Sequence, residues 1–238
     1  MTFAITDNQF LDRLPPDVLG RLSHGFDWLE LTVGDSSFLD NLDQLLFPVQ
    51  GLVSFLVTSN AGVSFEVALA GLESLLGICI FLNCKRPILP AVVRRPLVAV
   101  SLPAKLALEE FRLGGHFQHQ VLSYMRVFFT QVAQTSLCNS QHSLEQRFCR
   151  WLLMSQDRLK TGEYVSMSQE LISDKLGVRR EAITRVASRL RARKLIDYTT
   201  RRIEIVDEDG LRAAACECYE RLRLEFEELD RPPSADYL

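Results

Sequence analysis

The amino-acid sequence predicts an α+β fold: an N-terminal β-barrel or jelly roll, a long helix, and a compact C-terminal helical unit that includes two short strands. Three observations carry this. Between about Trp28 and Leu102, short β-branched and aromatic runs follow one another, several alternating with period two. After Pro103 the apolar spacing becomes that of a helix. Between Gln169 and Val206, two helical segments around a glycine are followed by alternating segments. The 238 residues, 47% hydrophobic and 24% charged, exclude disordered, collagen-like and disulfide-scaffold classes. They suffice for one large or two modest domains.

In order, Phe10 to Leu22 reads as a short helix broken or restarted by Pro15-Pro16. Strands are expected at Leu29–Val33, Leu45–Val49, Leu52–Val57, Val63–Leu69, Leu75–Leu82 and Leu97–Leu102, with turns at Gly34, Gln50-Gly51, Ser59–Gly62 and Gly71. Many short strands at close spacing favour a closed sheet. The first domain is drawn as residues 1–110.

Phe117, Val121, Met125, Phe128 and Val132 then recur at steps of four, four, three and four, with Tyr124, Phe129 and Ala133 widening the stripe. The expected dimer interface is Phe117, Val121, Tyr124, Met125, Phe128 and Val132, through a parallel helix of a second subunit. The alternative is a helix packed wholly within its own chain. Residues 111–138 are this helix and a hinge at Cys138-Asn-Ser-Gln; residues 139–238 form the last unit. Ser143 to Leu159 reads as an amphipathic helix with Leu144, Phe148, Trp151 and Leu152 on one face, and residues 230 to 238 as a frayed end.

Gln169 to Ser188, QELISDKLGVRREAITRVAS, meets the demands of a helix-turn-helix together. Gly177 takes the turn position that favours positive φ. Ser173 is small where two helices approach, and Ile172, Leu176, Val178, Ile183 and Val186 make their shared core. Ser168 is a plausible N-cap, and Glu170 suits the first turn. The second helix buries Ile183, Val186 and Leu190 and leaves Arg180, Glu181, Thr184, Arg185, Ser188 and Arg189 opposite. Arginine can donate two hydrogen bonds to guanine and glutamate can accept from cytosine, so this face reads as a recognition helix. The alternative is a solvated basic face. Leu195 to Val206 forms two alternating strands around Thr199–Arg201, the shape of a wing. Arg179, Thr184, Ser188, Arg189, Arg201 and Arg202 are the candidate phosphate contacts. Asp207 can cap a final helix, Leu211 to Leu229.

Net charge, −3, argues against nucleic acid only until it is divided. Between Arg179 and Arg202 nine basic residues face only Glu181 and Asp197, a local net of +7; from Ile203 onward eleven carboxylates face four arginines.

Leu14-Pro-Pro-Asp-Val-Leu-Gly-Arg-Leu22, Val63-Ser-Phe-Glu-Val-Ala-Leu69 running into Gly71, Leu144-Glu-Gln-Arg-Phe-Cys-Arg-Trp-Leu-Leu-Met154 and Leu176-Gly-Val-Arg-Arg-Glu-Ala-Ile-Thr-Arg185 carry a resemblance over nearly the whole chain. The sequence resembles the Crp/Fnr family of bacterial transcription regulators. That implies a cyclic-nucleotide-binding-like sensor, a homodimer joined by its long helices, and double-stranded DNA with two-fold symmetry as partner. Arg180, Glu181 and Arg185 match the family's base-reading positions, implying a half-site with a G·C pair of the TGTGA type. Activation would also require a surface for RNA polymerase, which no pattern marks, and the effector is unknown. Family members that bind cyclic nucleotides carry Gly-Glu and, about ten residues on, Arg followed by Ser or Thr and Ala. Here the stretch is Leu76–Ala91, with no Glu after Gly77 and Leu89-Pro90 in place of Arg-Ser, so ordinary cAMP binding is not expected. Lys85 and Arg86 offer an anion an alternative from a shifted register.

No cofactor, metal or catalytic residue is expected. No cysteine precedes Cys79, which removes the N-terminal iron–sulfur ligands of Fnr-type members. Six cysteines without a C-x-x-C pair do not read as a zinc module. Cys79 and Cys84 read as buried small hydrophobes or as a redox pair; Cys216 and Cys218, two apart on a helix, as facing different ways. His116, His119 and His142 read as solvated or structural, with haem or metal binding as the alternative. Phosphate-loop, H-E-x-x-H and G-x-S-x-G motifs are missing, so an enzyme is not expected. With neither a secretory leader nor an apolar run of membrane length, a cytoplasmic protein with no membrane partner is expected. The rival to a DNA-binding regulator is a dimeric interaction module that keeps the winged fold.

Overall fold

A computed structural model describes residues 3–60, 62, 64–160, 172, 176–199 and 202–230. Helix α1, Gln9–Asp12, is capped by Asn8, whose side chain accepts from Leu11 N–H at 3.0 Å. Pro16 opens α2, Pro16–Leu22, as its first residue, where a missing N–H costs nothing. The restart expected at the proline pair is therefore present.

Four antiparallel strands, β1 (Asp27–Leu31), β2 (Gln44–Thr58), β3 (Ser64–Ala70) and β4 (Ala91–Pro103), form one sheet in the order β1-β4-β2-β3. Two expectations are corrected. The runs at Leu45–Val49 and Leu52–Val57 are one strand, and Gln50-Gly51 is not a turn but part of a bulged stretch where the register to β4 shifts repeatedly. Gly51 has φ +105°, and a Cβ there would lie 2.6 Å from the Pro96 carbonyl oxygen. The run Leu75–Leu82 is not a strand: Gly77, at φ +93°, starts a single 3-10 turn over Ile78–Ile80. Uninterrupted apolar sequence does not reveal its own period, and this run is buried almost throughout.

Helix α3 covers Ala104–Arg112 and α4 covers Gly115–Gln141. The hinge expected at Cys138–Gln141 is helical, and the chain turns extended only at His142. Ser143 then caps α5, Leu144–Gln156, reciprocally with Gln146. Helix α6 spans Arg180–Ala192, and β5 (Ile196–Tyr198) pairs with β6 (Ile203–Ile205). Asp207 caps α7, Glu208–Ala214, accepting from Gly210 N–H at 2.9 Å. The single final helix expected is two, because the chain is extended at Ala215 and Cys216 before α8, Glu217–Glu227.

The expected dimer stripe is also corrected. Phe117, Val121, Tyr124, Met125 and Phe128 lie in the chain's own core, with Val132 packed against it. Phe10 meets Phe117 and Tyr124 edge-on, and Phe55 meets Phe128 at 5.0 Å. Gln131 completes the packing by exchanging two hydrogen bonds with the Leu69 backbone of β3, at 3.0 and 3.2 Å. Phe117, Val121, Tyr124, Met125 and Phe128 are at most 5% exposed and leave no surface for a second subunit, while Val132 is half-buried.

A second core, around Phe148, Trp151, Leu152, Ile183, Val186, Leu190 and Leu211, reaches Leu52 and Leu69 of the sheet. Trp151 Nε1–H donates to the buried Glu66 carboxylate at 2.8 Å, and Arg158 pairs with Glu73 at 3.0 Å. No helix among the described residues is long and apolar enough to cross a membrane.

Candidate nucleic-acid interface

Residues Ile172 and Leu176, on the N-terminal side of the turn, are buried with Ile183, Val186 and Leu190 of α6, and Val178 packs against the same cluster. Gly177 has φ +64°, the left-handed conformation a glycine takes without penalty. Ser168, Glu170 and Ser173, together with Arg201, lie outside the described residues.

Burying that edge of α6 turns the other outward. Arg180, Glu181, Thr184, Arg185, Ser188 and Arg189 are all exposed, as is Arg179 at the N-cap. Among the described residues no ion pair involves Arg179, Arg180, Glu181 or Arg185. Further along, the charges are tied to the chain. Glu145 of α5 accepts from both Arg189 and Arg193, at 3.0 and 2.9 Å, and Arg191 faces Asp197 at 3.4 Å. In the wing, Thr199 N–H closes the turn onto the Arg202 carbonyl at 2.9 Å, and Arg202 meets Glu204 at 2.8 Å. The N-terminal half of α6 thus presents Arg180, Glu181 and Arg185, with no ion pair among the described residues, on a helix fixed from behind.

Residues 146–214 match the Crp-like helix-turn-helix domain. The chain carries a Crp-like helix-turn-helix domain. Joined to its N-terminal sheet, this Crp-like domain gives the fold of the Crp/Fnr regulators. FixK2 from Bradyrhizobium japonicum superposes with a TM-score of 0.70 at 14% identity, over 80% of this chain and 98% of its own. A CRP-family transcriptional regulator of Thermus thermophilus, TTHB099, gives 0.63 at 22% identity, over 79% and 96%. The c-di-GMP responsive global regulator CLP of Xanthomonas campestris gives 0.60 at 12%, over 80% and 99%. A sequence comparison with curated proteins matched none.

In front of the Crp-like domain, the stretch Leu76–Ala91 helps line a cavity of about 160 Å³ walled by Leu39, Leu42, Phe55, Ile78, Leu89 and Phe128. No charged side chain lines it; Lys85 and Arg86 are exposed elsewhere. Cys79 is buried there, and burial pushes its thiol pKa up.

One cluster was not legible in the sequence. Cys216 and Cys218 do not face different ways: Cys216 is the extended cap of α8 and Cys218 lies in its first turn, so their sulfurs converge on Cys138 and His142 of the α4 end. A hydrogen bond with Cys216, helped by Arg150 and His142, holds the Cys138 thiol pKa below its ordinary value, while the same contact pushes Cys216 up.

Proposed function

We propose that the protein is a homodimeric, sequence-specific DNA-binding transcription regulator of the Crp/Fnr type. It would consist of a sensor over residues 1–110, a connecting helix and hinge to 138, and a DNA-binding unit from 139. The observation that carries this is the exposed trio Arg180, Glu181 and Arg185, without an ion pair among the described residues, on a helix whose opposite edge is locked into a core. Those residue types can read G·C pairs in a major groove, each good bidentate contact discriminating by about 1–3 kcal/mol. Arg179, Thr184, Ser188 and the wing arginines would hold register on the phosphates. Two copies would set their α6 helices in successive major grooves, with half-sites roughly 34 Å apart.

The dimer reading moves to the other side of α4. Leu122, Phe129 and Leu137 are 51%, 49% and 47% exposed, and with the exposed Ala133 they follow one another at seven, four and four. They form an exposed apolar stripe along one face of α4, and a second copy of the same helix would cover it.

The apolar cavity supports a sensor that does not take a cyclic nucleotide in the usual way, since a phosphate there would have no charged partner. Calorimetry with cAMP and cGMP tests this: no heat of binding is expected, and micromolar binding would refute it. For the DNA reading, the test is footprinting of occupied DNA, with a two-fold motif expected. RNA polymerase contact, if regulation is positive, would be a further partner.

A further inference from the structure

The DNA-binding reading makes no use of the sulfur and imidazole groups where α4 ends and α8 begins. We propose that Cys138, His142, Cys216 and Cys218 bind one zinc ion in a closed, tetrahedral three-sulfur, one-nitrogen site that clamps the end of α4 to the start of α8.

Cys138 lies in the last turn of α4, and His142, the extended C-cap, donates its N–H to the Cys138 carbonyl at 3.1 Å, which holds the two residues together at that end of the helix. Cys216 and Cys218 could not share a face within a helix, but the extended backbone at Cys216 turns both toward α4. All four donor atoms lie within 4.8 Å of one another. A tetrahedron built on Zn–S of about 2.3 Å and Zn–N of about 2.0–2.1 Å has S···S edges near ~3.8 Å and S···N edges near ~3.6 Å. Here Cys138 Sγ and Cys216 Sγ are 3.5 Å apart, and Cys218 Sγ and His142 Nδ1 are 3.5 Å apart. The donors surround the space of a single ion. An iron–sulfur cluster, which ties its cysteines to different irons, would spread them further.

The surroundings suit a metal. Glu217 engages His142 Nε2 at 3.1 Å, so that Nδ1 is the nitrogen facing the sulfurs, the orienting carboxylate common behind ligating histidines. Gln134 Nε2–H donates to Cys218 Sγ at 3.0 Å. Three thiolates and one zinc carry a net negative charge, and the buried guanidinium of Arg150, which acts on Cys138, offsets it. The three cysteines are buried and His142 is only 13% exposed, so no open coordination position faces solvent, as in structural sites. Soft thiolates in tetrahedral array favour zinc over magnesium or calcium. On binding, the thiols give up their protons to solvent.

The test uses the full-length protein, purified and held under reducing conditions. Metal analysis is expected to find zinc at about one per chain, and Co²⁺ in its place should give the intense ligand-field and thiolate charge-transfer bands of a tetrahedral sulfur-rich site. Glu217→Gln, which leaves all four ligands in place, should weaken zinc binding roughly 10- to 100-fold in competition with a chromophoric chelator. Cys138→Ser with Cys216→Ser should abolish it. The proposal is overturned if the reduced chain neither carries zinc nor competes with the chelator, or if the cobalt spectrum lacks thiolate bands. It is equally overturned if the double variant folds and retains its metal. Because the cobalt spectrum is read on the unaltered chain, the outcome does not depend on whether the variants fold.

Discussion

Arginines on α5 and just beyond it, and arginines on α6, stand in opposite situations. Arg150 and Arg158 are 6% and 3% exposed and engaged inside the chain: Arg150 donates to Thr135 Oγ1 at 2.7 Å, while Arg158 pairs with Glu73 and bonds the Met154 carbonyl at 2.8 Å. Arg180 and Arg185 are exposed, with no ion pair among the described residues. The contrast separates two uses of one side chain. The buried Arg150 ties α5 to α4, while Arg158 ties the C-terminal unit to Glu73 and to the Leu69 carbonyl of β3, so that removing Arg158 strands a carboxylate in low dielectric. An exposed one contributes little to folding and remains available to a phosphate or a base edge.

The sharpest way to break the comparison is Arg158→Ala, which should lower stability by about 3–5 kcal/mol because Glu73 is left buried and unpaired, visible as a fall in the denaturant midpoint. Next come Arg180→Ala and Arg185→Ala. Each should cut affinity for a cognate half-site by about 1–3 kcal/mol and relax base preference, with the unfolding midpoint unchanged; fluorescence anisotropy at fixed salt measures the affinity and the preference, and a denaturant titration the midpoint. Arg202→Ala should weaken all DNA sequences alike and flatten the salt slope by at most about 0.9, since Glu204 already shares its charge. The smallest effect belongs to Asp7, which Lys160 bonds at 2.9 Å between the two ends of the contact. That hydrogen bond holds the Asp7 carboxyl below its ordinary pKa, so its contribution is complete above the ordinary value and is lost as pH falls through the lowered one. The pair is about a third exposed and partly screened, so Asp7→Asn should cost under about 1 kcal/mol at neutral pH and should flatten the acid limb of the stability curve.

What was legible in the sequence was local. Gly177, the core set from Ile172 to Leu190 and the cap at Asp207 are written within a few residues of the structure they dictate, and so the outward face of α6 could be read directly. The apolar stripe of α4 was equally plain, but spacing defines a face without defining what covers it. The sheet covers Phe117 to Phe128, while a sparser seam from Leu122 to Leu137 stays outside. The strand count failed at Gly51, where a glycine signal that often marks a turn marks a bulge instead. The four-residue cluster at the end of α4 was hidden for another reason: Cys138 and Cys216 are 78 residues apart, and they meet only because the helix breaks before α8.

The measurement that bears most directly on the central claim is footprinting of DNA bound by the intact protein, repeated with Arg180→Ala. A two-fold motif whose half-sites lie about one helical turn apart is expected, with a variant that loses preference for its G·C positions. No symmetric motif, together with unchanged affinity in Arg180→Ala, would contradict it.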